Sequence, residues 1–299
     1  MLLCHNSVVT SSSYTEQMIS ILTPTRLRPD NVKRLVSSAR LSAKSPELLE
    51  FVFYVDNDDT SFPREIIDSG ILVVDGPRVH MSLMQNVMYT KCHGEIIMYS
   101  GDDLVFKTFG WDEVVRSKFS GVKDRVLLVH ANDLAYGDKI ATHGFLHRNW
   151  INAVGSWVAA GRGSLFDLWL TEVARKIGRI SYLEDVEIIH LHYRQGSGLA
   201  EFDQTYKNVS MANTSWVPMK TYNRLKRERR IDRVLLTEIM NPKPKIEKGY
   251  MVGEFLAANK RRFGMQSVDS RRLRTLNNWE VIPLLAKNIM KVLIGKRRR

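Results

Sequence analysis

The sequence lacks the features that define several large classes of protein. It has only two cysteines, Cys4 and Cys92, which supports neither a disulfide framework nor a zinc site. No apolar run approaches the roughly 18 uncharged residues that a membrane span requires. Residues 1–17 have no basic segment ahead of an apolar stretch, so we expect no secretory signal. These absences favour a protein of the reducing cytoplasm.

The glycine-rich loops that bind nucleotide phosphates in two common enzyme classes are also missing. Neither G-x-G-x-x-G after a strand nor G-x-x-x-x-G-K-S/T occurs, which argues against a dinucleotide-dependent dehydrogenase and against a P-loop NTPase. The chain does have 299 residues, of which 44% are apolar. That is enough for one large domain with an ordinary core and a smaller appendage.

The net charge of +12 is concentrated in the C-terminal part of the chain. Residues 220–299 contain 22 Lys and Arg against 7 Asp and Glu, whereas residues 1–219 are nearly neutral. This asymmetry indicates an anionic partner, either a nucleic acid or an anionic membrane face. A basic surface that only increases solubility is the alternative interpretation.

Apolar segments alternate with helical patterns through the first half of the sequence. We expect strands at Ile19–Thr23, Glu50–Val55, Ile71–Val74, Glu95–Tyr99, Arg125–Val129 and Val186–Leu191. We expect helices from Pro29 onward and at Met81–Cys92, Leu165–Ile177 and Tyr222–Met240. The alternation predicts an α/β fold with a mostly parallel central sheet flanked by helices. We place the main domain at residues 18–218 and a basic, mainly helical region at residues 219–299.

Two acidic clusters follow predicted strands. Asp56–Asp59 comes directly after one strand, and the pair Asp102 and Asp103 follows another. Ligands of open parallel sheets bind beyond the carboxyl ends of the strands. Carboxylates at that edge suit a hard divalent cation, which takes oxygen ligands and bridges phosphate groups.

The segments ISILTPTRLRP, FVFYVDNDDTS, EIIMYSGDDLVF and FDLWLTEVARKIGRISYLEDVEIIHLHY occur in an order that resembles family 2-like GT-A glycosyltransferases. The resemblance covers about residues 18–195. It implies a GT-A (Rossmann-like) fold, a nucleotide-sugar donor, with a UDP-sugar favoured, and a divalent cofactor, Mn²⁺ or Mg²⁺. One departure concerns the D-x-D metal motif, because a strict match would place Asp where this sequence has Gly101.

The resemblance also implies roles for individual residues. The donor-binding residues would be Thr23, Pro24, Arg26, Asp56, Arg78 and Asp102. Asp56 would accept a hydrogen bond from a uracil N–H, although an aspartate here also suits an Asx turn. Asp103 would bind the metal, with Asp102 on the ribose or a bound water. His190 and His192 point to the same side of a strand, and we favour His192 as a metal or diphosphate ligand.

Asp167 is the candidate catalytic base of an inverting transfer, because a carboxylate must take the acceptor proton opposite the leaving phosphate. The sequence from Ser164 to Asp167 also fits a capping box, in which Asp167 would only close the helix start, and a retaining route would then remain open. Glu172 is a weaker substitute. Trp150 is a candidate stacking wall for the acceptor, with core packing as its alternative.

The acceptor is inferred from the basic region. Its clusters include Arg227, Arg229, Arg230, Lys260, Arg261 and Arg262, which suit a nucleic-acid backbone. Our preferred hypothesis is a glycosyltransferase that modifies hydroxymethylated pyrimidines in DNA, as phage enzymes in the host cytoplasm do. The alternatives are a peripheral membrane enzyme of lipopolysaccharide or capsule synthesis and a non-catalytic nucleic-acid-binding protein on the same scaffold. The oligomeric state is not predicted.

Overall fold

The computed structural model describes residues 18–155, 165–191 and 222–242. The strands are β1 (Ile19–Thr25), β2 (Leu49–Asp56), β3 (Ile71–Gly76), β4 (Ile96–Tyr99), β5 (Leu104–Phe106), β6 (Leu128–Asn132), β7 (Gly144–His147) and β8 (Ile180–His190). The α-helices are α1 (Pro29–Ser42), α2 (Met81–Tyr89), α3 (Trp111–Ser120), α4 (Arg148–Val154), α5 (Phe166–Lys176) and α6 (Lys226–Met240). Short 3₁₀ turns lie at Pro46–Leu48 and Arg64–Ile66.

The strands form one sheet in the order β3-β2-β1-β4-β7-β6-β8-β5. The first four are parallel, in the strand order of a Rossmann half. Strand β7 then runs antiparallel to both β4 and β6, and β5 runs antiparallel to β8, while β6 and β8 are parallel. The predicted α/β fold with a central sheet between helices is confirmed, and its parallel part is mainly the N-terminal half.

Helices cover both faces of the sheet, which explains the unbroken apolar sequence of the central strands. Strand β2 is buried along its whole length. On one face, α1 and α3 contribute Leu35 and Trp111 to the core. On the other face, α2, α4, α5 and α6 contribute Met88, Trp150, Trp169 and Leu236, among others. In the described ranges the core occupies both faces, so the strand ends are where a ligand can reach the sheet.

Two strands begin elsewhere than the sequence suggests. The strand expected at Arg125–Val129 starts at Leu128, because Arg125 has a φ of 57° and Asp124 Oδ1 accepts the Val126 N–H in a turn. The strand expected at Val186–Leu191 is the second half of the longer β8. Its first half pairs with β6 in spite of a mixed polar sequence. Tertiary pairing therefore sets these bounds.

Helix α6, from the basic region, packs directly on α4 and α5. Its Arg229 is only 4% exposed, with the guanidinium over the rings of Trp169 and Tyr222 and Nε 2.9 Å from Glu172 Oε2. The prediction that Arg229 binds nucleic acid is therefore wrong, because its charge is used inside the protein. Its neighbours Arg227 and Arg230 are exposed. None of the helices in the described ranges combines the length and apolarity needed to cross a lipid bilayer.

Candidate active site

A cleft of about 470 Å³ opens at the carboxyl ends of the N-terminal strands. It is bounded by the ends of β1, β2 and β4, the loop between β6 and β7, and the start of α5. The predicted site residues that line it are Pro24, Arg26, Asp56, Arg78, Asp102, Asp103 and Asp167. Both acidic clusters therefore face the same space, although they are separated by more than forty positions in the sequence.

Two residues predicted to contact the donor or to stack on the acceptor, Thr23 and Trp150, do not line the cleft. Thr23 is fully buried between strands, with its Oγ1 2.6 Å from Ser100 Oγ, so it is unsuited to donor binding, and Thr25 lines the cleft instead. Trp150 is 1% exposed and packs in the core, so its ring offers no face to an acceptor. Both predictions are corrected by this burial. The predictions for His192, Lys260, Arg261 and Arg262 lie outside the described residues.

At one end of the cleft, Asp56 presents a carboxylate that is only partly satisfied. Arg26 donates to its Oδ2 at 2.9 Å and also pairs with Asp58. The other oxygen, Oδ1, is buried without a hydrogen-bond partner among the described residues. Burial raises the pKa of Asp56 in spite of the charges of Arg26 and Arg78. A buried acceptor of this kind suits an incoming N–H donor such as that of a nucleobase.

Asp102 lines the cleft with both carboxylate oxygens hydrogen-bonded. Arg28 donates to Oδ1 at 3.0 Å, and Thr25 donates to Oδ2 at 2.8 Å. Leu27, between Arg26 and Arg28, has a φ of 56°, in the left-handed region that residues other than glycine rarely adopt. Burial raises the pKa of Asp102, and the charge of Arg28 opposes that rise. Asp102 is thus held by the protein, while Asp103 faces the histidines.

Asp103, His143 and His190 form a cluster with the geometry of a metal site. One ligand atom from each residue lies within 4.8 Å of the others. His190 Nε2 is 3.3 Å from Asp103 Oδ2, and the two imidazole rings stand edge to face with centroids 4.5 Å apart. One carboxylate and two imidazoles suit Mn²⁺ and other first-row divalent ions better than Mg²⁺, which prefers oxygen ligands. Sequence reasoning did not identify His143, which follows a loop without a motif, and it preferred His192 to His190.

Gly101 explains why the metal motif departs from D-x-D. A Cβ at this position would lie 2.7 Å from Asp103 Oδ1 and 3.3 Å from His143 Nε2. Any side chain here would push on both candidate ligands. An aspartate at position 101 would therefore have to displace the carboxylate of Asp103 or the ring of His143, and this imidazole from the β6–β7 loop occupies the adjacent space.

The Gly101→Ala variant is expected to bind Mn²⁺ at least about tenfold more weakly, because the added methyl displaces the carboxylate of Asp103 or the ring of His143. Isothermal titration with MnCl₂ measures this affinity directly. Gly121→Ala is the matched control, since its Cβ would meet nothing closer than 3.5 Å and its φ is −70°. Wild-type affinity in Gly101→Ala would show that the cluster does not bind the metal as the geometry indicates.

Asp167 lies in the first turn of α5 and lines the same cleft. Burial raises its pKa to about 6, and a hydrogen bond from the Leu168 N–H to Oδ1 at 2.7 Å partly opposes the shift. The helix has Leu165 at its N-cap, whereas Ser164, the capping residue of the capping-box alternative, lies outside the described residues. Glu172, the weaker candidate base, pairs with Arg229 and Tyr222 instead.

No protein-family model matches the chain, and no curated protein sequence matches it. Among solved structures it is similar to the mannosyltransferase PcManGT from Pyrobaculum calidifontis in complex with GDP-Man and Mn²⁺, with 13% identity, a TM-score of 0.46, and coverage of 91% of this chain and 86% of that one. It is also similar to S. aureus TarS 1-349, with 10% identity, a TM-score of 0.45, and coverage of 92% and 91%. S. aureus TarS aligns at 13% identity and a TM-score of 0.44, covering 94% of this chain and 54% of that one. Because the sequence identities are at most 13% and the TM-scores are below 0.5, the side chains of the cleft are the basis for assigning a function.

Proposed function

We propose that this protein is a metal-dependent glycosyltransferase that moves a sugar from a nucleoside diphosphate donor to an acceptor hydroxyl with inversion. The observation that carries the proposal is the meeting of three groups in one cleft. These are the buried acceptor oxygen of Asp56, the cluster of Asp103 with two histidines, and the isolated, protonatable carboxyl of Asp167. Together they provide a position for a base, a diphosphate and an attacking hydroxyl.

The donor would lie between Asp56 and the metal cluster. Asp56 Oδ1 accepts an N–H of the nucleobase, and Arg78, which also lines the cleft, faces the diphosphate. Asp103, His143 and His190 are the residues that would hold the divalent ion, and their oxygen and nitrogen atoms fit Mn²⁺. When bound, the ion supplies Lewis-acid stabilisation of the charge that develops on the leaving diphosphate.

Asp167 would activate the acceptor. Its carboxylate takes the proton of the acceptor hydroxyl as that oxygen attacks the anomeric carbon from the face opposite the diphosphate. The raised pKa of about 6 makes Asp167 a stronger base than an exposed aspartate, while most of it remains ionised at pH 7. Such an attack inverts the anomeric configuration. Tyr99, Tyr222 and His190 are close enough to Asp167 to interact with it electrostatically, and the Leu168 N–H donates to its carboxylate.

We propose DNA containing hydroxymethylated pyrimidines as the acceptor. Support comes from the excess of cations in residues 220–299 and from the exposed side chains of Arg227 and Arg230 on α6. Basic surfaces of this kind attract the phosphate backbone without regard to sequence. A base in a duplex would have to leave the stack to reach the cleft.

The decisive experiment combines a panel of nucleotide sugars, Mn²⁺ and hydroxymethylated DNA. We expect metal-dependent release of the nucleoside diphosphate and a hexose or pentose mass added to the modified nucleoside, both read by mass spectrometry. Donor hydrolysis without any nucleoside mass shift would rule out DNA as the acceptor but would still support a glycosyltransferase. No hydrolysis of any donor in the presence of metal would exclude the enzyme, in favour of a non-catalytic nucleic-acid-binding protein.

Two binding measurements separate the DNA acceptor from a membrane-associated one. DNA binding that falls steeply with salt concentration supports the DNA acceptor. Sedimentation with anionic vesicles, without measurable DNA binding, would instead support an enzyme of lipopolysaccharide or capsule synthesis that works on the membrane surface.

A further inference from the structure

The loop between β6 and β7 is organised by one buried carboxylate, that of Asp133. The residue is 5% exposed and follows directly after β6. Its Oδ1 accepts the backbone N–H groups of Ala135, Tyr136 and Gly137 at 2.9, 2.8 and 3.1 Å. Its Oδ2 accepts the hydroxyl of Thr142 at 2.7 Å. One side chain therefore connects the start of the loop to its end.

The bonds to Asp133 are those of an ionised group. Burial by itself would raise the pKa of Asp133, but the hydrogen bonds from Thr142 and from three backbone N–H groups hold it below the ordinary value. Hydrogen bonds to a charged acceptor are stronger than those between neutral groups. The loop conformation is consequently tied to the four hydrogen bonds that the Asp133 side chain accepts.

This loop carries several walls of the cleft. Tyr136, Ile140, Thr142 and His143 all line it. The backbone carbonyl of Asp133 also accepts the N–H of His190 at 3.2 Å. Asp133 therefore contacts, through its side chain and its main chain, the segments that present both imidazoles of the metal cluster.

We propose that Asp133 is a positioning residue that sets His143 and His190 at the spacing needed to bind the metal and shapes the wall that contains Tyr136. Asp133 does not itself line the cleft, and its side chain is not one of the candidate metal ligands. It acts through the loop backbone, as outer residues of metal sites orient the ligands. The inference rests on the metal-dependent function proposed above and deepens it by naming what holds the ligands in place.

The test compares variants of the full chain by titration with MnCl₂ alone and by amide hydrogen exchange of residues 134–143. Asp133→Ala is expected to weaken Mn²⁺ binding by about 10- to 100-fold and to speed exchange in the loop. Asp133→Asn keeps an Oδ1 acceptor for the three N–H groups, and its affinity is expected to stay within about threefold of wild type. Asp138→Asn, an exposed change in the same loop, is the matched control and should alter neither measurement.

The outcomes distinguish this proposal from the function on which it rests. A folded Asp133→Ala variant with wild-type Mn²⁺ affinity would overturn the positioning role and leave the metal site standing. If the wild-type chain bound no Mn²⁺, both proposals would fall. Should Asp133→Ala not fold, Thr142→Val removes only the bond to Oδ2. It is then expected to weaken Mn²⁺ binding by about threefold or more, and unchanged affinity would overturn the proposal.

Discussion

The Asp103→Ala variant is expected to lose metal-dependent donor turnover by about a thousandfold or more. Asp103 is the carboxylate of the metal cluster, with Oδ2 3.3 Å from His190 Nε2. Removing it leaves two imidazoles, which bind Mn²⁺ weakly without a charged oxygen ligand. The lost Lewis-acid stabilisation amounts to several kcal/mol, and each 1.4 kcal/mol is about tenfold in rate. Release of the nucleoside diphosphate measures the loss of turnover, and titration with MnCl₂ measures the loss of Mn²⁺ affinity.

The matched control for Asp103→Ala is Asp185→Ala, which removes an exposed carboxylate from β8 outside the cleft. It should leave both turnover and Mn²⁺ affinity unchanged. DNA affinity of Asp103→Ala should stay within about twofold of wild type, because the basic region supplies that attraction. Equal loss of turnover and of DNA binding would show that catalysis and acceptor binding are not divided as proposed.

The Asp167→Asn variant is expected to lower kcat by about 10²- to 10⁴-fold, the usual contribution of a general base. Asparagine keeps the size of the side chain and an oxygen that accepts the Leu168 N–H, but it cannot take a proton. Mn²⁺ affinity and the KM for the donor should therefore change by less than about twofold. A kcat within tenfold of wild type would leave Asp167 as a structural residue and reopen the retaining route.

Asp167→Asn should also alter stability in the opposite direction from activity. The folded-state pKa of about 6 lies above the ordinary 3.8, so protonated Asp167 stabilises the fold and the ionised form does not. That contribution to the free energy of unfolding is complete below about pH 4 and is lost as the pH rises through 6. The total loss is roughly 3 kcal/mol. The stability of Asp167→Asn relative to wild type should therefore increase from pH 4 to pH 8. Urea unfolding at the two pH values measures it, and a constant difference would contradict the raised pKa.

The sequence predicted which acidic residues at the ends of apolar strands meet in the cleft, and their roles in donor and metal binding stay predictions. Asp56, Asp102 and Asp103 each follow an unbroken apolar run, and parallel strands place their carboxyl ends at one edge. The core fold was predictable for the same reason. The signal in both cases is local, because a buried central strand has an apolar sequence and its end has a polar one.

The remaining parts of the site depend on contacts between distant segments. His143 enters the cleft because Asp133 and the hydroxyl of Tyr99, which donates to Ala141 O, fix the loop before it. The hydrophobic periodicity of a sequence does not predict hydrogen bonds between such distant residues. Trp150 and Arg229 were misassigned because an aromatic ring or a guanidinium has the same sequence signature inside a core as on a surface. One feature of the sequence does indicate the metal site. Gly101 interrupts the expected motif at the position where a side chain would contact Asp103 and His143.

The docking of α6 has a practical consequence for anyone who shortens this chain. Its Leu236 is fully buried, and its Asp232 accepts a hydrogen bond from the Trp169 indole at 2.7 Å. A fragment that stops at residue 218 would therefore lack the helix that packs on α5. The first turn of α5 contains Asp167. Expression boundaries that begin at residue 18 should therefore extend through Met240, even though the fragment then includes Arg227, Arg229 and Arg230.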